Sequence, residues 1–303
     1  MKIYKRIPKN FEIGKYFKKN DFLLYEGDAK NLFKDANEDP FIDFLVTSPP
    51  YNIGKSYERV APLEEYFFNQ KSILWELDKY IKDNANICYQ IGNFINKDGS
   101  IFPLDFGFYK IFEELGYTLK NRIIWHFGHG FHAKKRFSGR YETILWYSKG
   151  KESTFNLDNI RVPSKYPGKT YYKGPKKGKK SSHDYGKNPS DLWIDIPHVR
   201  GNHVEKTNHP CQFPIALIQR LLRGLTNEND VVLDPFMGVG SAGAACAIEK
   251  RKFIGCDLES SYVKTAEQRI NDALQGELKY RPLEKPIYDH KQSNLWKKFQ
   301  KEK

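Results

Sequence analysis

Thr47-Ser48-Pro49-Pro50-Tyr51-Asn52 places a small hydroxyl, freed backbone carbonyls and a flat aromatic ring at one spot of the chain. It follows Phe41-Ile42-Asp43-Phe44-Leu45-Val46, an apolar run that reads as a buried strand. Two consecutive prolines can neither continue a ladder nor enter a helix interior, so the strand must stop in a stiff, extended corner. That corner has the parts needed to grip an amino group on a planar heterocycle. The Ser48 hydroxyl and a carbonyl accept its hydrogens, and Tyr51 stacks on the ring. An ordinary strand-to-turn corner reads the same way, so a second site has to decide.

The second site lies near the other end of the chain. Asp230-Val231-Val232-Leu233 runs into Asp234-Pro235-Phe236-Met237-Gly238-Val239-Gly240-Ser241 and on into an Ala-rich helix over 241–249. Glycines let a backbone turn tightly and approach a ligand closely. Lys252-Phe253-Ile254-Gly255-Cys256-Asp257 is the next strand. This is a β-α-β unit with carboxylates at both strand ends, where open parallel sheets hold ligands. Gly238-x-Gly240-x-x-Gly243 with Asp257 beyond it also satisfies the dinucleotide fingerprint. A nicotinamide dinucleotide, however, puts a pyrophosphate at the helix N-terminus, where Asp234 repels it. S-adenosylmethionine has no phosphate and carries a cationic sulfonium and ammonium, which a nearby carboxylate suits. S-adenosylmethionine is the better cofactor.

Ser-Pro-Pro-Tyr resembles the catalytic motif of the amino-methylating DNA methyltransferases, and Asp-Pro-Phe-x-Gly-x-Gly resembles their cofactor motif. The catalytic motif comes first, an order similar to the permuted beta group found in restriction-modification systems. The resemblance runs from about Leu24 to Ile270. It implies an α/β, Rossmann-like methyltransferase fold with a mostly parallel seven-stranded sheet. The strand from Tyr141 would run antiparallel at or near one edge. It assigns Ser48, Pro49, Pro50 and Tyr51 to catalysis, and Asp234, Pro235, Phe236, Gly238, Gly240 and Asp257 to the cofactor. Asp28 would sit near the cofactor adenine, and His209, in His-Pro-x-Gln-x-Pro, on its methionine side. Met237, Val239 and Ser241 stand where Ser or Thr is commoner in the family. The Ser form is more similar to the cytosine-N4 branch, with adenine-N6 methylation as the alternative. The implied partners are double-stranded DNA, a second copy of the chain, and a cognate restriction endonuclease acting on the same site.

The remaining composition fits a DNA enzyme. The chain has 303 residues, 39% hydrophobic and 15% aromatic, enough to build a core and to exclude wholesale disorder. Its net charge of +13 calls for a polyanionic partner. Residues 161–190 carry nine lysines and arginines against one acid, Asp184, with Tyr166, Tyr171, Tyr172 and Tyr185 among them. This basic, aromatic stretch reads as an irregular DNA-contacting insertion in which Lys176, Lys177, Lys179 and Lys180 touch the backbone. Lys134 and Arg136, in a His/Lys/Arg-rich loop, join them. A solvated tether has the same composition. No run approaches a membrane span and the N-terminus lacks a signal core, so a cytoplasmic bacterial or archaeal protein is expected.

Four parts follow: a catalytic half over 20–150, a target-recognition insertion over 151–205, a cofactor half over 206–275 and a basic tail over 276–303. Helices are expected over 63–82, 103–115 and 259–273, with another running from His209 through Arg223. Further strands are expected over 22–28, 86–91, 121–127 and 141–148. Cys88, Cys211, Cys246 and Cys256 read as reduced core thiols. Pro210-Cys211 suggests the nucleophile of cytosine-C5 methyltransferases, but their motif order is the reverse, and Cys211 is expected to open an apolar helix as a packed thiol. His126, His129 and His132 have poor ligand spacing, so no metal is expected. Protein or RNA methyltransferases and a non-enzymatic DNA-binding protein remain alternatives, the last leaving both corners unexplained.

Overall fold

A computed structural model describes all residues except 9, 10, 37, 38, 56, 57, 129, 131, 294, 295 and 297–303. The strands among them are β1 (Lys2–Tyr4), β2 (Phe22–Glu26), β3 (Ile42–Thr47), β4 (Ile81–Ile91), β5 (Asn93–Ile95), β6 (Ile101–Pro103), β7 (Thr118–His126), β8 (Tyr141–Ser148), β9 (Leu192–Trp193), β10 (Val231–Asp234) and β11 (Lys252–Asp257). The helices are α1 (Ile13–Tyr16), α2 (Leu63–Asp78), α3 (Leu104–Glu114), α4 (Ile215–Leu225), α5 (Ser241–Ile248) and α6 (Ser260–Gln275). Among the described residues none is long and apolar enough to cross a membrane.

Nine strands make one sheet in the order β1-β2-β11-β10-β3-β4-β8-β7-β9, and β5–β6 form a separate hairpin. In the large sheet only β8 runs against its neighbours, β4 and β7. The sheet is therefore mostly parallel, with the antiparallel strand near one edge as expected. It exceeds seven strands because β1 and the two-residue β9 add short parallel rungs at its two ends. Their lengths, three residues and two, are below what a periodicity can reveal.

Alternate side chains along the strands feed two cores. Leu23, Leu45, Ile87, Tyr89 and Ile254 face α1, α2 and α3, whereas Leu24, Phe44, Cys88, Val232 and Phe253 face α4, α5 and α6. Both faces are covered, which explains the consecutive apolar residues in β2, in β3 after Asp43 and in β10.

Two boundaries differ from the sequence expectation. The helix over 63–82 stops at Asp78, because the Tyr80 carbonyl accepts the N–H groups of Phe41 and Ile42 at the entry to β3. The helix after His209 starts only at Ile215, with Pro214 as its N-cap, so Cys211 lies in a turn and opens no helix. Residues 161–190 are held by isolated bridges, Val162 with Lys187, Thr170 with Lys180 and Tyr171 with Lys177, and form no regular element. The start of the tail packs back on the protein: Leu278, Tyr280 and Leu283 lie against the second core.

Asn86, 1% exposed on β4, ties β4 to β8, to the end of α4 and to the chain at residue 154. Its Nδ2 donates to the carbonyls of Thr154 (2.9 Å) and Leu225 (3.0 Å), and its Oδ1 accepts from Trp146 Nε1 (2.8 Å). Asn86→Ala leaves a half-buried indole N–H and two carbonyls without their Asn86 partner. The expected loss is about 3 kcal/mol of unfolding free energy, read as a lower urea midpoint at unchanged slope.

Candidate active site

β3 ends at Thr47, and Ser48, Pro49 and Pro50 carry the chain out of the sheet. Several bonds freeze this corner. Tyr66, on α2, donates its hydroxyl to the Pro50 carbonyl at 2.7 Å. Among the described residues no protein hydrogen bond ends on the Pro49 carbonyl. Asn52 sits in the left-handed region (φ 61°), and its side chain exchanges two 2.7 Å hydrogen bonds with the backbone of Ala61. The N–H groups of Asn52 and Ile53 go to the Glu58 carboxylate.

The Tyr51 ring packs against Gly92, where a Cβ would come within 2.8 Å of it. Its hydroxyl lies 2.9 Å from Ser48 Oγ and donates to Glu142 Oε2 at 3.3 Å. Gln90 Nε2 donates to the same oxygen at 2.6 Å. Burial pushes the Tyr51 phenol well above its ordinary range, aided by the Glu142 charge. Glu142 is itself raised by burial, with Gln90, Tyr51 and Arg200 opposing the rise.

The second corner is built by β10 and β11. Asp234 is fully buried; its Oδ1 accepts from Thr47 Oγ1 at 2.6 Å and from the Phe236 N–H at 3.1 Å. Its Oδ2 is buried with no hydrogen-bond partner. Burial raises the carboxyl to about 7 against those two bonds. Gly238 and Gly240 both have positive φ (50° and 73°), and a Cβ on Gly240 would come 2.6 Å from Ala266 Cβ. Asp257 accepts the Gly238 N–H on one oxygen and the Glu259 N–H on the other, each at 2.9 Å. The glycine turn is thus pinned to the end of β11.

A cavity of about 440 Å³ lies between the two corners. Ser48, Pro49, Pro50 and Tyr51 line one side; Pro235, Phe236, Gly238 and Asp257 line the other, with Asp28 and His209 at the walls. Asp28 also caps the turn after β2 by accepting the Lys30 N–H. His209 packs edge-on to Tyr262, and burial pushes its imidazole down to about 4, so it is neutral at pH 7. Asp234 and Gly240 stand behind this wall and support it.

Cys211 lines the cavity, a correction to its reading as a packed core thiol; Cys88, Cys246 and Cys256 are buried. The lysines stay outside the cavity. Lys176, Lys177, Lys179 and Lys180 are exposed in the insertion, with Lys180 ion-paired to Asp184. Lys134 and Arg136 are exposed on the loop between β7 and β8. His129 lies outside the described residues, and among the described residues no cluster of side chains could hold a metal ion. Gln90 and Glu142 were missed by motif reading. Their signal was a polar residue inside an apolar strand.

The N6/N4 DNA methylase family model matches residues 42–268. The chain belongs to that family. Among its relatives, the type II methyltransferase M.BglII of Bacillus subtilis is 45% identical over 248 residues, covering 82% of this chain and 68% of the relative. The DNA adenine methyltransferase YhdJ of Escherichia coli is 32% identical over 256 residues, covering 82% and 83%. Among solved structures, the cytosine-N4-specific PvuII DNA methyltransferase superposes with a TM-score of 0.66 at 19% identity, covering 87% and 94%. An M1.HpyAVI–SAM complex superposes with a TM-score of 0.57 at 25% identity, covering 82% and 99%. This DNA methylase therefore carries its family's fold, and both corners fall within the matched span.

Asp234 gives the site a pH signature. A carboxyl whose pKa is higher in the folded chain than in the unfolded one, about 3.9, holds its proton more tightly when folded. Its contribution is complete below about pH 4 and is lost as the pH rises through about 7. Asp234→Asn keeps an acceptor for Thr47 and Phe236 and cannot ionise. Between pH 4 and 7 the ligand-free wild type is therefore expected to lose stability relative to Asp234→Asn, measured as the difference between their denaturation free energies. A constant difference would contradict the assignment.

Proposed function

We propose that this DNA methylase transfers a methyl group from S-adenosylmethionine to the exocyclic N4 amine of cytosine in duplex DNA, with the base flipped into the cavity. The observation that carries this reading is the Thr47–Asp234 hydrogen bond, which sets the amine-accepting corner and the glycine turn on one cavity. The residues suit that cofactor. Asp28, Asp257 and Glu259 on the cavity wall favour a cation over a pyrophosphate, and Asp234, buried behind the wall with Oδ2 unpartnered, adds to that preference. When bound, S-adenosylmethionine supplies an electrophilic methyl group on a cationic sulfur.

The chain's own residues do the rest. An exocyclic amine is a weak nucleophile because its lone pair is delocalised into the ring. Ser48 Oγ and the Pro49 carbonyl accept its two hydrogens, favour a pyramidal nitrogen and release the lone pair. Tyr66 occupies the Pro50 carbonyl, which leaves the Pro49 carbonyl as the backbone acceptor. Serine is too weak a base to take a proton first, so the nitrogen becomes cationic and strongly acidic on methyl transfer and then releases its extra proton to water. Positioning and electrostatics supply most of the acceleration. Extrusion of the base costs a few kcal/mol, offset by stacking on Tyr51 and by hydrogen bonds to its edge.

Adenine-N6 methylation is the second reading, favoured by the relation to a DNA adenine methyltransferase. Both bases present an amine to the same acceptors. Nucleoside mass spectrometry of DNA treated with the protein and cofactor separates 4-methylcytosine from 6-methyladenine, and the first is expected. Ser48→Ala is expected to slow single-turnover methylation about 10²–10³-fold while cofactor and DNA affinities hold. Cys211→Ser, which removes no acceptor of the amine, should leave the rate nearly intact.

The insertion over 151–205 is the proposed target-recognition region. Lys176, Lys177 and Lys179 are its exposed phosphate contacts, Lys134 and Arg136 on the loop between β7 and β8 add to them, and Lys180 is partly neutralised by Asp184. Replacing Lys176, Lys177 and Lys179 with Gln is expected to lower the log–log salt slope of DNA binding by about 0.9 for each lost contact. A slope and affinity equal to wild type would make this stretch a solvated tether.

A further inference from the structure

Glu142, Tyr51 and Ser48 form a chain of polar contacts that runs from behind the catalytic corner into the cavity. Glu142 Oε2 receives the Gln90 N–H at 2.6 Å and the Tyr51 O–H at 3.3 Å. The latter is long for such a bond, as catalytic contacts often are before substrate closes a site. A carboxylate oxygen can only accept, and a tyrosine has one proton to give. The Tyr51 proton therefore points at Glu142. The 2.9 Å contact between Tyr51 and Ser48 must then run the other way, with Ser48 O–H donating to the phenol oxygen. That turns the serine proton away from the cavity and leaves its lone pairs facing inward.

We infer that Glu142 is a positioning residue that acts through Tyr51 to set the direction of the Ser48 hydroxyl, so that Oγ meets the substrate amine as an acceptor only. The inference rests on the amine-methylating function proposed above. Without the carboxylate, Ser48 Oγ, 2.9 Å away, becomes an acceptor for the Tyr51 proton. One lone pair is then occupied, and the serine proton swings into the cavity to oppose the amine hydrogens. Neither Glu142 nor Gln90 lines the cavity, so neither is a catalytic residue. A carboxylate placed half-buried against a tyrosine has a cost in desolvation, and an acceptor role for Oε2 explains why it is there.

The test is single-turnover methylation of DNA from a methylation-deficient host, read as total methylated nucleoside, with S-adenosylmethionine in excess. Glu142→Leu removes the acceptor and is expected to react about 10²-fold more slowly, with cofactor affinity unchanged. Tyr51→Phe loses the orienting contact but adds no wrong-way donor, and is expected to be about fivefold slower. The double variant Glu142→Leu/Tyr51→Phe frees the serine hydroxyl to rotate and is expected to be about tenfold faster than Glu142→Leu alone, a recovery that a packing defect would not give. A Glu142→Leu rate within about threefold of wild type, or a double variant no faster than Glu142→Leu, overturns the inference. If Glu142→Leu does not fold, Tyr51→Phe decides, and a rate equal to wild type overturns it. A wild-type protein that methylates no nucleoside amine overturns the proposed function and this inference with it, whereas flat variant ratios in an active enzyme overturn the inference alone.

Discussion

One buried hydrogen bond, Thr47 Oγ1 to Asp234 Oδ1, joins the two halves of the cavity across 187 residues of chain. Thr47 is the residue before Ser48, and Asp234 is the residue that leads into the Gly238–Gly240 turn. The pairing of β3 with β10 sets Phe44 beside Val232 and Leu45 beside Leu233, so both strands finish at nearly the same level. Burying a carboxylate is costly unless it is hydrogen-bonded. Here the threonine hydroxyl and one N–H offset part of that cost, both on one oxygen, and leave the second oxygen buried without a partner. The Ser48 hydroxyl and the cavity carboxylates keep their relative positions because of this contact.

The order of motifs along the chain matters little to that geometry. From β3 the chain passes through α2 to β4 on one side, and from β10 through α5 to β11 on the other. Crossovers between parallel strands are right-handed, so opposite directions put α2 and α5 on opposite faces, as the two cores record. The gap between β3 and β10 is thus a topological switch point, where open sheets leave a crevice at the strand ends. Moving one half ahead of the other along the chain leaves the same strands adjacent and the same crevice between them.

What could be read from sequence follows from how local each signal is. The Pro-Pro corner after an apolar strand and the Gly238–Gly240 turn after Asp234 are short, self-contained patterns, and both line the cavity. So do Asp28, His209 and Asp257. Strands β8 and β11 fall where expected because continuous β-branched and aromatic runs mark strands buried on both faces. The edge strands β1 and β9 gave no such pattern. Tyr66 left no signal and Glu142 only that of a polar residue in an apolar strand, because each acts through one long-range contact, to Pro50 and to Tyr51 respectively, and nothing in the flanking residues encodes the partner. Cys211 was misread because an apolar tract was extended through Pro214, where the helix in fact begins.

The stretch over 151–205 shows how a segment with one short 3-10 turn, no α-helix and no long strand can still have a defined place. Its first residues are tied to the domain by Thr154 through Asn86 and by Asn156, whose N–H donates to the Gly224 carbonyl at 2.7 Å. Val162 and Lys187 then exchange backbone hydrogen bonds in both directions, and Arg161 reaches the Gly186 carbonyl at 3.1 Å, so the lysine-rich loop leaves and returns through one gate. Within it the cations repel one another and remain in solvent, while Lys165 and Lys176 rest over the rings of Tyr166 and Tyr171. Pinning the ends of a loop removes most of the closure entropy that ordering it on a partner would otherwise cost. For a surface proposed to meet DNA, this combines a fixed position over the domain with side chains that are free to follow the phosphates.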